Sequence, residues 1–203
     1  RQSDGKVRMD GSIALSNGFF SSVVGLPGCW NVSRICQVLL DSKNPMMCGE
    51  ELEIKMKNLG FSKLKPDPDA YDEWTQSGQN SPGTVGAVSF DGKNLCSVTT
   101  TGGRSGVDAG RVGDSGMAGC GSSANSIGAV SCTGIGEAIV RSRLADYTLN
   151  IMKKLNPMDA CKKAIKELEK DILSQGLGGL IAINNKGEVG WAFNTEEMPI
   201  CIQ

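Results

Sequence analysis

Histidine is absent from the 203-residue chain. That excludes the Ser–His–Asp triad, the Cys–His dyad and every His-containing zinc site. Gly113-Asp114-Ser115-Gly116 reads like the serine-protease Gly-Asp-Ser-Gly, but no imidazole exists to activate Ser115. A nucleophile in this chain needs another base, such as a lysine or an α-amino group. Charge of one sign is lacking too: the net charge is −1, with acidic and basic residues interspersed. This leaves no field for nucleic acid or for an anionic membrane surface. No apolar run has transmembrane length and no signal-peptide pattern is present. The initial Arg1 fits a fragment or a processed product.

Eight cysteines are few for a disulfide scaffold of this length, and none lies in a C-x-x-C pair. Cys36, Cys96 and Cys132 sit inside apolar runs. They are expected to be buried free thiols of a reducing compartment, which points to a cytoplasmic protein.

The length fits one domain over residues 1–203. Residues 1–8 read as a polar turn and a short strand, and Val23 to Leu26 as another strand. Asn31 or Ser33 can cap a helix reaching about Ser42, with Ile35, Val38, Leu39 and Cys36 on its buried side. A second helix runs from Glu50 to Asn58, closed by Gly60. Residues 62–83 are rich in Pro, Gly, Ser and Asp and read as a mobile linker. Val85 to Asp91 and Leu95 to Thr101 form a hairpin across Gly92-Lys93-Asn94. Their weak alternation predicts strands covered on both faces.

Met117 to Ala124 and Ile127 to Cys132 supply more strand. Residues 134–154 read as strand, turn and helix, with Ile139, Leu144, Leu149, Met152 and Leu155 at helical spacing. Asn156 and Pro157 then open a helix with Ala164, Ile165, Leu168 and Ile172 on one face, stopped at Gly176. Leu180 to Asn184 and Glu188 to Phe193 make a last hairpin. Hairpins in place of βαβ crossovers predict a layered α+β fold.

Four polar clusters separate the strands of the middle third: Gly83-Thr84-Val85-Gly86, Thr99-Thr100-Thr101-Gly102-Gly103, Gly110-Arg111-Val112-Gly113-Asp114-Ser115 and Ser131-Cys132-Thr133-Gly134-Ile135-Gly136-Glu137. Glycine and threonine at strand ends suit backbone held close to a small ligand. In order and spacing these clusters resemble the plant-type L-asparaginase/isoaspartyl peptidase family of N-terminal-nucleophile hydrolases, whose relatives include glycosylasparaginase and threonine aspartase. The resemblance runs from about Met9 to Pro199. Met9-Asp10-Gly11-Ser12-Ile13 is similar to the family's Met-Asp-Ala-Ser-Ile, whereas Ala14-Leu15-Ser16 replaces its Met-Asp-Gly.

The resemblance implies a four-layer αββα sandwich. Residues 1–83 would be the C-terminal part of an α-subunit, with the linker 62–83, and residues 84–203 most of a β-subunit. Cleavage between Gly83 and Thr84 would give Thr84 a free α-amino group, so that one residue supplies both nucleophile and base. Without the family match, Thr84 is simply a threonine opening a strand. Thr101 corresponds to the family threonine that orients the nucleophile. Thr133 and Gly134 correspond to the oxyanion hole, a hydroxyl and a backbone N–H beside a helix start. Arg111 and Asp114 suit the carboxylate and ammonium of an amino-acid head group, and Gly136 corresponds to the glycine whose carbonyl meets that ammonium. Standing alone, Arg111 and Asp114 would read as a local ion pair. Gly134-x-Gly136 lacks the third glycine and the βαβ context of a dinucleotide site.

The activity implied is hydrolysis of L-asparagine and β-aspartyl dipeptides, with a small-molecule substrate, no organic cofactor and no catalytic metal. Family members often bind a structural sodium ion in a loop that largely precedes residue 9, and assemble as dimers of αβ heterodimers. They also begin with an apolar strand ending in His-Gly-Gly, then a helix, and continue past Pro199. Relative to that pattern this chain lacks the first strand and helix and the last strand residues, so an incomplete sheet is expected for residues 1–203 by themselves. The alternatives are a truncated homologue without catalysis and a threonine-aspartase-like protease.

Overall fold

The computed structural model describes residues 2–65 and 83–203. Strands β1 (Arg8–Leu15), β2 (Phe20–Pro27), β3 (Met46–Cys48), β4 (Thr84–Phe90) and β5 (Leu95–Thr101) form one sheet in the order β3-β2-β1-β5-β4. Helices α1 (Val32–Leu40) and α2 (Gly49–Asn58) belong to this half. A second sheet, β6-β7-β8-β9, contains β6 (Ser122–Ala124), β7 (Gly128–Gly134), β8 (Gly178–Asn184) and β9 (Val189–Phe193). Between β7 and β8 run α3 (Gly136–Ser142), α4 (Leu144–Met152) and α5 (Pro157–Leu168).

The sheets stack with β7 against β4 and β5, β8 against β4, and β6 against β1 and β5. Helices α1 and α2 cover the outer face of the first sheet; α4 and α5 cover that of the second. The layering is helix, sheet, sheet, helix, as the family resemblance implies. One connection departs from the expected hairpins: β2 and β3 pair in parallel, with α1 as the crossover. Three residues, Met46–Cys48, are too few to carry a strand pattern.

Capping explains where the helices begin. The Asn31 side chain accepts a hydrogen bond from the Arg34 N–H, and that of Asn156 accepts one from Asp159. Val32, Ile35, Cys36 and Leu39 form the buried stripe of α1, while Val38, expected there, stands at its rim with 38% exposure. Helix α5 ends at Leu168, well before Gly176, and Ile172 is 93% exposed. The chain leaves the helix because Asp171 accepts from the Ser174 N–H and Oγ and is held bidentately by Arg141 at 2.6 and 2.7 Å.

The helix expected within residues 134–154 is two helices, broken at Arg143 in the left-handed region (φ 48°). No glycine marks the break, and Leu155 beyond it is 37% exposed. Met117 to Ala124 yields only the short strand β6, because a 3₁₀ turn at Asp114–Gly116 and the loop after it occupy the space.

Apolar side chains gather in two clusters. Val23, Leu26, Trp30, Ile35, Leu39, Leu52 and Met56 pack between the first sheet and its helices. Val130, Ile139, Leu144, Leu149, Leu168 and Leu180 do so for the second sheet. The seam between the sheets is lined by hydroxyls. Ser97 Oγ donates to the Val130 carbonyl at 2.6 Å, Thr99 Oγ1 to that of Gly121 at 2.9 Å, and Ser12 Oγ to that of Ser115 at 2.6 Å. Thr99 also shares a 2.6 Å hydrogen bond with Ser131. Each such bond contributes about 1 kcal/mol net, but an unmade one at this depth costs about 1–3 kcal/mol.

Glycine permits the close approach: a Cβ on Gly86 would run into the Ser131 hydroxyl and lie 3.0 Å from its Cβ. Gly86→Ala should therefore lower stability by about 1–3 kcal/mol through overpacking. A urea titration measures it, and an unchanged midpoint contradicts this account of the seam.

All eight thiols are free. Cys36, Cys120, Cys132 and Cys161 are buried, whereas Cys96, expected to be buried, is half-buried. Burial pushes the Cys36 and Cys161 thiols up to about 12, which makes them unreactive packing groups. Among the described residues no helix is long and apolar enough to cross a membrane.

Candidate active site

Thr84 opens β4 and stands opposite Thr101, the last residue of β5, which stands opposite Asp10 of β1. Residues directly opposite across a sheet share a face, so Asp10, Thr101 and Thr84 form a row at one end of the first sheet. The next row, Ser12, Thr99 and Gly86, meets the hydroxyl seam. Thr101 is buried, and its Oγ1 accepts from the Gly103 N–H at 3.1 Å.

Facing this row, β7 ends in Thr133 and Gly134. Thr84 and Thr133 line a common cavity of about 660 Å³ that extends over β8, β9 and residues 198–203. Gly134 has φ 137°, and a Cβ there would meet the Gly178 Cα and the Leu177 carbonyl oxygen. Only glycine fits that turn from strand into helix. One side of the cavity is formed by β4, the edge of the first sheet, where Val85 is 69% exposed. The sequence-based expectation that β4 is covered on both faces is thus corrected: α1 and α2 pack chiefly on β1 and β2, with α1 also touching β5.

A charged cluster adjoins the turn 133–136. Gly136 opens α3 beside both Arg111 and Asp114: a Cβ on it would lie 2.8 Å from Arg111 Nη2 and 2.7 Å from Asp114 Oδ1. Arg111 Nε donates to Glu137 Oε1 at 2.8 Å, and this bond holds the Glu137 carboxyl below its ordinary range. Asp114 is buried and its Oδ2 makes no hydrogen bond among the described residues. Desolvation pushes its carboxyl up to about 6, outweighing the attraction of Arg111.

Asp10 is also buried, and burial raises its pKa even though it accepts from the Gly25 N–H at 2.7 Å and the Gly113 N–H at 3.1 Å. Through those bonds Asp10 ties the threonine row to the loop bearing Arg111. Gln2 clamps the same loop, accepting from the Gly110 N–H at 3.0 Å and donating to the Arg111 carbonyl at 3.2 Å.

The seven residues expected to act on or bind a substrate therefore meet on two sides of one strand-to-helix turn. Thr84, Thr101, Thr133 and Gly134 lie on the sheet side, and Arg111, Asp114 and Gly136 on the loop side. Gly83 is exposed and immediately precedes β4; most of the linker expected over 62–83 lies outside the described residues. Asp10 and Glu137 are members of the cluster that sequence reasoning missed. A lone carboxylate amid the small and apolar residues of β1 is a signal for Asp10. Glu137 in a first helical turn is indistinguishable from an ordinary dipole-complementing residue. Among the described residues no group of three or more His, Cys, Asp or Glu is arranged to hold a metal ion.

The family model described as Asparaginase matches residues 51–203, which span the threonine end of the site and the whole charged loop apart from Asp10 and Gln2. The chain belongs to the asparaginase family. Among its relatives, the isoaspartyl peptidase of Salmonella typhimurium is 36% identical over 186 residues, covering 79% of this chain and 58% of that protein. The probable isoaspartyl peptidase/L-asparaginase 2 of Arabidopsis thaliana is 45% identical over 121 residues, covering 58% of this chain but 36% of that protein. The plant-type L-asparaginase of Pyrococcus abyssi is 28% identical over 222 residues, which cover 96% of this chain and 72% of that protein. Each of these asparaginase-family relatives is thus matched over only part of its own length.

Proposed function

We propose that this chain carries the catalytic residues of an amidohydrolase acting on L-asparagine and β-aspartyl dipeptides. The observation that carries the reading is the shared cavity of Thr84 and Thr133, with Thr101 opposite Thr84 and the Arg111–Asp114–Gly136 cluster beside the same turn. Cleavage of the Gly83–Thr84 bond frees the Thr84 amine, whose reference pKa of about 7.7–8.0 leaves a useful neutral fraction near pH 7. The amine takes the hydroxyl proton as Thr84 Oγ1 attacks the side-chain carbonyl of the substrate. The Thr133 hydroxyl and the Gly134 N–H receive the oxyanion, helped by the N-terminus of α3. Ammonia or an amino acid leaves, a β-aspartyl ester remains on Thr84, and water activated by the same amine releases aspartate. Arg111 holds the α-carboxylate, Asp114 and the Gly136 carbonyl hold the α-ammonium, and Thr101 orients the nucleophile.

A second reading, a homologue that does not catalyse, is favoured by the position of β4 at the edge of its sheet, where the strand of Thr84 has no neighbour on one side among the described residues. Denaturing electrophoresis with N-terminal sequencing separates the two. The hydrolase yields a fragment beginning at Thr84, together with ammonia from L-asparagine or a free amino acid from a β-aspartyl dipeptide. An uncleaved chain without turnover establishes the second reading, and a new terminus elsewhere overturns the first.

A further inference from the structure

We propose that Glu137 is a positioning residue, which holds Arg111 by its Nε–H so that the Nη1–Nη2 edge of the guanidinium faces a ligand carboxylate. The identity of that ligand as an aspartyl α-carboxylate rests on the function proposed above. A guanidinium has two bidentate edges, one pairing Nε with an Nη and one pairing the two Nη nitrogens. In this chain the Nε–H is given to Glu137, while neither Nη1 nor Nη2 donates a hydrogen bond among the described residues.

The other two carboxylates beside Arg111 do not fix its rotation. Both oxygens of Asp10 accept from backbone N–H groups, those of Gly25 and Gly113. Asp114 attracts Arg111 by charge without a hydrogen bond to it, and its Oδ2 has no partner among the described residues. Nη1 lies 3.1 Å from where a Cβ on Gly113 would be, and Nη2 lies 2.8 Å from that position on Gly136. The free edge therefore passes between two residues without side chains. One hydrogen bond, from the 18%-exposed Arg111 side chain to the 44%-exposed Glu137 side chain, sets its direction.

Charge alone predicts the opposite sign. Asp10, Asp114 and Glu137 surround a single cation, so removing Glu137 makes the site less negative and should tighten binding of a carboxylate. Removing the bond that aims Arg111 should weaken it. Two substitutions separate these effects. Glu137→Gln removes the charge but keeps an oxygen that can accept from Nε–H; Glu137→Ala removes both.

Titration calorimetry with L-aspartate, and with β-alanine as the analogue lacking the α-carboxylate, reads ligand affinity. NMR of the Arg111 Nε–H signal reads the bond itself, whatever the ligand. Positioning predicts that Glu137→Ala weakens L-aspartate roughly tenfold or more, leaves β-alanine unchanged and loses the protected Nε–H signal. Glu137→Gln should restore most of both. Tighter binding in both variants, an equal loss for both ligands, or an Nε–H signal indifferent to Glu137→Ala overturns the proposal. If the unaltered chain binds no L-aspartate while the Nε–H signal follows the expected pattern, the positioning stands and the ligand assignment fails.

Discussion

Thr84→Ala should give a folded chain in which the Gly83–Thr84 bond stays intact and turnover of L-asparagine falls by about four to six orders of magnitude relative to the unaltered chain. The size follows from the chemistry proposed. One residue supplies the attacking oxygen and, once freed, the amine that takes its proton, so nothing else in a histidine-free site can substitute. The effect on folding should be small. Thr84 is half-buried at the start of an edge strand, and a threonine-to-alanine change at such a position costs about 1 kcal/mol or less. Thr84→Ser should keep partial activity because the hydroxyl remains. Ammonia release, N-terminal sequencing and thermal unfolding measure the three quantities. Appreciable turnover by the alanine variant would remove Thr84 from the mechanism.

Asp114→Asn should make the protein more stable at neutral pH while abolishing binding of the substrate ammonium. The folded-state carboxyl titrates at about 6 against an ordinary value of 3.8. The native chain therefore holds this proton more tightly than the unfolded chain does, and stability falls as pH rises through the interval between those values. At about 1.4 kcal/mol for each pKa unit, the ionised Asp114 costs roughly 3 kcal/mol above pH 6 and nothing below pH 4. Asparagine does not ionise, so the difference between variant and unaltered chain should open between about pH 4 and pH 6 and then stay constant. Taking the difference cancels the exposed carboxylates shifted the other way, such as Asp91, which its turn lowers to about 2. Denaturant midpoints across that range measure the effect. Parallel curves for the two proteins would show that Asp114 carries no such cost.

What the sequence made legible here has physical reasons. Helix starts were readable at Asn156, and to within a choice of Asn31 or Ser33 for α1, because a cap is a local interaction among residues three apart. The hairpins of β4–β5 and β8–β9 were readable from their glycine turns. The break at Arg143 was hidden, since a non-glycine residue in the left-handed region leaves no compositional mark. The end of α5 was hidden as well, because it depends on Asp171 meeting Arg141 across 30 residues. For the candidate site, residues inside motifs could be named one by one. The bond between Arg111 and Glu137 and the link from Asp10 to Gly113 join residues 26 and 103 apart, so their partnership appears only after folding.

The hydroxyl seam also bears on how the molecule comes apart. Its apolar clusters lie outside the two sheets, one beneath α1 and α2 and the other beneath α4 and α5. The plane between the sheets joins them through serine, threonine and glycine. Cooperativity follows buried apolar contact, so each sheet with its own helices forms a natural foldon and the seam is the weakest coupling between them. Amide protons at the centres of β1 and β7 should report two opening free energies, and a shared site built from both halves is lost as soon as either one opens.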